Sequence, residues 1–263
     1  MDLGLNEKIA IVCGASQGLG FAAALELAAE GCSVIICSRD KNRIENAAHK
    51  IEQETKGKVF PYQVDLSETS QILDFTETVT SKFKRVDVLV NNTGGPAAGY
   101  FLEFDELDWQ HAFQHTLLSA VTLTKQMLPL MVKKRWGRII NLTSITVKQP
   151  VANLLLSNSM RMAIIGWAKT LSNQYAKYNI TVNNIATGYT LTKRLLDLAK
   201  NIAQQEDISH REVIDRWTEQ IPSKRLANPA EIARVVTFLA SEQAGYITGT
   251  TIPVDGGFVQ SML

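Results

Sequence analysis

The stretch Ile9-Ala10-Ile11-Val12-Cys13-Gly14-Ala15-Ser16-Gln17-Gly18-Leu19-Gly20 decides the fold, because it reads as a buried strand running into a glycine-rich turn and then a helix. Ile9 to Val12 show no polar alternation, the pattern of a strand covered on both faces of a parallel sheet. Gly14, Gly18 and Gly20 let the backbone turn tightly, approach a ligand closely and pack the next helix against the sheet. That helix is expected over 21–31, with Phe21, Ala24, Leu25 and Ala28 at helical spacing. Its free N–H groups point back at the turn and form a seat for a pyrophosphate. The plain alternative is a tight strand-to-helix turn with no ligand.

The whole chain agrees with such a start. Its 263 residues, 45% of them hydrophobic, can bury a full core as a single domain. Twenty-seven basic and 26 acidic residues leave a formal net charge of +1 without long runs of one sign, which points away from nucleic acid and from an anionic membrane surface and toward a small-molecule substrate. Cys13, Cys32 and Cys37 are odd in number and lack metal-ligand spacing, so buried free thiols in a reducing compartment are expected, with no metal site. Residues 1–6 lack a basic flank and an apolar core, and no apolar stretch approaches roughly 18 residues. A cytoplasmic protein is expected.

Strand and helix patterns then alternate to the end. A second strand over 33–37 closes at Ser38-Arg39-Asp40. In a dinucleotide fold an acid at this point accepts from the ribose 2′-hydroxyl, whereas an Arg accommodates a 2′-phosphate, so Arg39 favours NADP over NAD; otherwise Arg39 is a solvated turn residue beside a helix-capping Asp40. After a helix over 42–55 and a strand over 59–64 comes Asp65-Leu66, where Asp65 can open the next helix. A fourth strand over 86–90 leads into Asn91-Asn92-Thr93-Gly94-Gly95-Pro96, and a long helix over 108–133 carries Phe113, Leu117, Ala120, Val121 and Leu128 on one side. The fifth strand, 137–144, ends at Ser144, where open α/β sheets place their reaction site. A helix over 155–178 and a strand over 181–186 follow, then Thr187-Gly188-Tyr189-Thr190-Leu191-Thr192 and a charged, irregular helical region to 222. Residues 189–222 are expected to form a mobile lid holding the variable part of the substrate pocket. A helix over 231–241 and a strand near 250–254 complete a doubly wound, mostly parallel, seven-stranded α/β sheet without repeats or linkers.

The Gly-x-x-x-Gly-x-Gly spacing from Gly14 to Gly20 and the Asn91-Asn92-Thr93-Gly94 element resemble the short-chain dehydrogenase/reductase family, in its 3-oxoacyl-[acyl-carrier-protein] reductase-like branch, and the resemblance runs over about 5–257. It implies a Rossmann fold and a bound NADP. The cofactor contacts it implies are Gly14, Ser16, Gln17, Gly18, Leu19 and Gly20 in the turn, Ser38 and Arg39 after the second strand, Asp65 and Leu66 at the adenine, Asn91 and Gly94 after the fourth strand, and Gly188, Thr190 and Thr192 in a loop that touches the nicotinamide amide and the pyrophosphate. Cys13, Thr93 and Thr187 stand where the family usually has Thr, Ala and Pro.

The family's reductase site is an Asn in the long helix, a Ser after strand five, a Tyr thirteen residues on and a Lys four beyond it. In that site Tyr delivers the proton, Lys lowers the Tyr pKa and holds the ribose, Ser polarises the carbonyl and Asn anchors a water. Counting from Ser144 places Ser157 and Arg161 at the Tyr and Lys positions, and the match of Thr122-Leu123-Thr124-Lys125 and Leu128-Pro129 places Thr116 at that of Asn. Ser157 and Arg161, four apart, share a helix face. A serine hydroxyl is far less acidic than a phenol of pKa about 10, and Arg161 stays protonated, so Arg161 is expected to bind ribose or stabilise an alkoxide without relaying protons. Other candidate proton donors are Tyr189 and, more loosely, Lys148; His115 sits one helical step, about 100°, from Thr116 and is expected to face away. Two functions fit: an NADP-dependent oxidoreductase with altered proton delivery, or a dinucleotide-binding sensor or scaffold without turnover. Either way a homotetramer is expected, built on the apolar surface of the long helix and of the helix carrying Ser157.

Overall fold

The computed structural model describes residues 1–261. In chain order its main elements are β1 (Ile9–Cys13), α1 (Gly18–Ala29), β2 (Ser33–Ser38), α2 (Lys41–Thr55), β3 (Val59–Gln63), α3 (Thr69–Phe83), β4 (Val88–Asn91), α4 (Glu106–Ala112), α5 (Ser119–Lys134), β5 (Gly137–Leu142), α6 (Leu155–Tyr175), β6 (Ile180–Thr187), α7 (Lys193–Glu206), α8 (His210–Gln220), α9 (Pro229–Ala240) and β7 (Thr251–Val254). Among the described residues the seven strands form one sheet in the order β3-β2-β1-β4-β5-β6-β7, every pair parallel. This is the doubly wound Rossmann architecture. The strand order reverses between β1 and β4, and the carboxyl ends of those strands part to leave a crevice.

Two apolar layers hold the helices to the sheet. On one face Leu27, Ile44, Ile51, Ile232, Val236 and Leu239 from α1, α2 and α9 pack over Val12, Val34, Ile36 and Val90. On the other, Ile72, Phe75, Val79, Leu123, Met127 and Met131 from α3 and α5, with Ala168 of α6, pack over Ile11, Ile35, Leu89, Ile139 and Val182. Alternate residues of one strand serve opposite layers, so the central strands are apolar throughout, as the first strand's sequence required. Pro61 lies in β3, the edge strand, where a missing N–H costs the ladder least.

One polar seam crosses this sheet. Asn91 donates to Asn141 Oδ1 at 2.8 Å, Asn141 donates to Asn184 Oδ1 at 2.8 Å, and Asn184 donates to Thr251 Oγ1 at 3.2 Å. The four residues are register partners on β4, β5, β6 and β7, so each side chain finds the next on the same face. Asn91 thus holds the central strands and does not line the crevice.

Two local departures from the sequence reading bear on the site. The long helix begins at Glu106, where Asp105 caps Asp108 N–H, and between α4 and α5 it passes through a π-helical turn, Phe113–Leu118. The region read as irregular is instead two amphipathic helices, α7 and α8, with a small core of their own at Ala199, Ala203, Val213 and Trp217. Both arise from packing: the extra residue of a π turn is tolerated where neighbouring elements accept it, and charge on the outer faces of α7 and α8 masked their inner stripes.

Candidate active site

A cleft of about 930 Å³ runs along the carboxyl ends of the strands. At one end the turn after β1 is held open by Gly14 and Gly18, whose φ angles of 58° and 63° a side chain would strain. Gly20 has a different task. A Cβ there would run into the Gly14 carbonyl oxygen, so α1 packs onto the turn only because that position is bare. Asn92 locks the arrangement from the β4 side by donating to the carbonyls of Cys13 at 3.1 Å and Gly14 at 3.3 Å.

Helix α1 starts at Gly18 with no side-chain cap and no acid in its first turn, whereas α8 and α9 open with complete capping boxes. Its first N–H groups and the positive end of its dipole therefore face the cleft uncompensated, which fits a pyrophosphate. Ser16, Gln17 and Leu19 line the same end, followed by Ser38, the last residue of β2, Arg39 just after it, and Asp65 and Leu66 after β3. Arg39 is exposed, and Arg43 of α2, bridged to Asp40 at 3.1 Å, lies beside it on the cleft wall. A 2′-phosphate would meet two guanidiniums there. The Ser67 hydroxyl donates to Asp65 at 2.6 Å and holds its carboxyl below the usual range.

The opposite end gathers Ser144, Ser157 and Arg161 on one wall. Ser144 Oγ accepts from Thr146 N–H at 3.2 Å, capping the short turn Ile145–Val147, and its own hydrogen stays free to donate into the cleft. Arg161 is buried; its Nε donates to Ser157 Oγ at 3.2 Å and its Nη1 to the Leu142 carbonyl at 2.9 Å. The Ser157 hydroxyl hydrogen likewise remains available. Burial, with Arg194 nearby, pushes the Arg161 guanidinium down to about 10, which still leaves it charged at neutral pH. Gly188, Thr190 and Thr192 line the cleft from the β6 side, and Thr192 caps α7 by accepting from Leu195 N–H at 3.3 Å. Thr187, at the end of β6, donates to the Thr143 carbonyl at 3.0 Å and ties that loop to β5.

Not every residue singled out in the sequence reaches the cleft wall. Thr116 is buried, its hydroxyl has no hydrogen-bond partner among the described residues, and it does not line the cleft. Its neighbour His115 does, which reverses the expectation drawn from a regular helix: inside the π turn the angular step is smaller, and the imidazole swings toward Gly94. A Cβ on Gly94 would stand 3.5 Å from His115 Nε2. Partial burial, reinforced by Arg39, Arg161 and Arg194 against Asp65, holds the His115 pKa below its ordinary value. Tyr189 lines the cleft but stacks on Trp217 at 5.2 Å and meets Phe258 edge-on at 5.4 Å, and burial pushes its phenol up. Lys148 stays off the cleft wall. Asn92, Arg43 and Arg194 were not singled out in the sequence, and His115 was considered there but expected to face away; of the first three only Asn92, within the quoted Asn-Asn element, carried a local signal.

A parallel sheet, an open helix N-terminus at its switch point and a cleft with hydroxyls and a buried cation at the far end define a dinucleotide-binding protein of the Rossmann class. Residues 14–259 match the family model described as enoyl-(acyl carrier protein) reductase. The chain is 33% identical over 259 residues to the NADPH-dependent reductase BacG of Bacillus subtilis (strain 168), covering 98% of this chain and 100% of that one. It is 32% identical over 257 residues to the 3-oxoacyl-[acyl-carrier-protein] reductase FabG of Aquifex aeolicus (strain VF5), covering 98% and 99%. Among solved structures, L-sorbose reductase from Gluconobacter frateurii complexed with NADPH and L-sorbose superposes with a TM-score of 0.95 at 30% identity over 100% of both chains. The chain belongs to the short-chain dehydrogenase/reductase family and is an oxidoreductase by that membership.

Proposed function

We propose that the protein is an NADP(H)-dependent reductase of a small carbonyl substrate, of the kind a 3-oxoacyl thioester presents, and that it works with an altered proton-delivery site. The continuity of the cleft carries this reading: one wall runs from the bare N-terminus of α1, past Arg39, to Ser144, Ser157 and Arg161. The similarity to NADPH-dependent relatives supports the cofactor. NADPH, when bound, supplies the hydride. Ser144 and Ser157 each keep a hydroxyl hydrogen to donate to the carbonyl oxygen, and the Arg161 cation stabilises the negative charge that grows there. With its pKa near 10, Arg161 holds charge and ribose hydroxyls without releasing a proton at pH 7, so the alkoxide takes its proton from solvent. Helices α7 and α8 act as the lid over 189–222.

The exposed Leu107 and Phe113 of the long helix and Met162 of α6 support assembly into a homotetramer through those helices. No helix among the described residues is long and apolar enough to cross a membrane, and the three buried free thiols suit a reducing, cytoplasmic setting.

The sensor reading draws on one specific observation: Arg161 is already engaged by Ser157 and Leu142, a closed arrangement that binding alone would tolerate. A titration of NADPH binding beside its oxidation over a panel of keto esters and diketones separates the two. Turnover supports the reductase; tight binding with no turnover supports the sensor.

A further inference from the structure

Arg194 is placed where a cation is electrostatically unwelcome. It occupies the second position of α7, after the Thr192 cap and Lys193, so it adds positive charge to the positive end of the helix dipole. Among the described residues no carboxylate pairs with it: its hydrogen bond runs to a neutral acceptor, the Gly95 carbonyl at 3.0 Å, and desolvation lowers its pKa. Arg161 feels Arg194 as a like charge from the far wall. Arg161 is buried and Arg194 solvent-exposed, so two like charges bear on one cleft and the exposed one is open to an anion from outside the chain.

The position of that anion follows from what Arg194 spans. Thr192, two residues earlier, lies over the glycine turn, its Cγ2 3.5 Å from where a Cβ on Gly18 would be. Arg194 itself crosses to the loop after β4, and its guanidinium is within 3.6 Å of where a Cβ on Gly94 would be. The side chain therefore crosses to the loop after β4 from a segment whose Thr192 lies over the glycine turn, in the cleft that the uncapped start of α1 also lines, the seat that the backbone prepares for phosphate oxygens. Building on the dinucleotide reading above, we propose that Arg194 is a clamp for the cofactor pyrophosphate: its guanidinium exchanges the Gly95 carbonyl for the phosphate oxygens and so draws the first turn of α7 down over the bound nucleotide. A planar two-pronged donor suits that exchange, because it can hold two phosphate oxygens at once.

Equilibrium titration of wild type, Arg194→Met and Arg194→Lys tests the clamp, with NADPH and adenosine 2′-monophosphate, which lacks a pyrophosphate, as the two probes. Arg194→Met should weaken NADPH roughly ten- to a hundredfold, the loss of a hydrogen bond to a charged group, while leaving adenosine 2′-monophosphate unchanged; Arg194→Lys should recover part of the loss. NADPH should also protect the segment around α7 from limited proteolysis in wild type and not in Arg194→Met. Unchanged NADPH affinity in Arg194→Met overturns the clamp, even if substrate KM rises, since the guanidinium would then serve the substrate. Equal weakening of both probes overturns it as well, by assigning Arg194 to general attraction. A wild type that binds neither probe overturns the dinucleotide reading itself, together with the clamp.

Discussion

The two ends of the cleft are built on different principles. At the proposed dinucleotide end the groups on offer are mostly backbone: bare N–H groups at the start of α1, held by glycines and by Asn92, with Arg39 and Arg43 as the charged exception. At the far end they are side chains, Ser144, Ser157 and Arg161, anchored to the end of β5 and to one another. Backbone recognition depends on space and dihedral angle, so it resists change of side chain but fails when a single Cβ intrudes. Side-chain recognition can be rewritten position by position while the sheet beneath stays intact, and the proposed site carries Ser157 and Arg161 where the family resemblance implies Tyr and Lys.

The largest effect should come from rewriting the far end. Ser157→Tyr with Arg161→Lys introduces a phenol and the smaller cation that lowers its pKa, and should raise carbonyl reduction about a hundred- to ten-thousandfold in steady-state assays. If NADPH binds normally and no carbonyl is reduced, proton delivery is not the only altered function. Next comes a break at the other end: Gly20→Ala puts a Cβ against the Gly14 carbonyl and should cost about 1–3 kcal/mol in denaturant unfolding, with NADPH binding weakened at least in step. An alanine tolerated at wild-type stability would mean that the turn yields more than its packing indicates.

A smaller shift should follow Arg39→Asp. Because Arg43 remains beside it, the expected change in the NADPH-to-NADH affinity ratio is about tenfold, and adding Arg43→Ala should enlarge it. An unchanged ratio would mark Arg39 as a turn residue. The smallest effect belongs to His115, where the ends meet. Its folded pKa lies below the ordinary 6.5, so the unfolded chain takes up a proton that the native state refuses as pH falls through 6.5. The stability this group contributes is full above that pH and declines below it, and His115→Gln should flatten the decline in urea midpoints. An anionic cofactor should raise the same pKa. NADPH binding should therefore take up a fraction of a proton near pH 6 by calorimetry in buffers of different ionisation heat, and the variant should lose that uptake.

The site was legible in the sequence in proportion to how local its determinants are. Gly14, Gly18 and Ser144 were readable because a turn and a strand end announce themselves in neighbouring residues. Gly20 was read as packing the next helix and was also counted, with Asn91, among the cofactor contacts; in the structure Gly20 packs α1 onto the turn, Asn91 braces the sheet, and neither lines the cleft wall. Thr116 was placed by matching Thr122-Leu123-Thr124-Lys125 and Leu128-Pro129 to the family's helix and is buried away from the cleft wall, whereas His115, expected to face away on a regular helix, lines that wall from the π turn Phe113–Leu118.

What the sequence determined by itself is the alternation of apolar strands and amphipathic helices, the sheet it implies and the phosphate seat after β1, since steric limits and burial act on residues close together in the chain. Only the tertiary structure decided which side chains meet across the cleft. Arg194 reaches Gly95 over a separation of 99 residues, and Asn92 reaches Cys13 over 79. Such contacts leave no periodicity and no local composition to read, because they exist only once the crossovers have brought the strand ends to one edge.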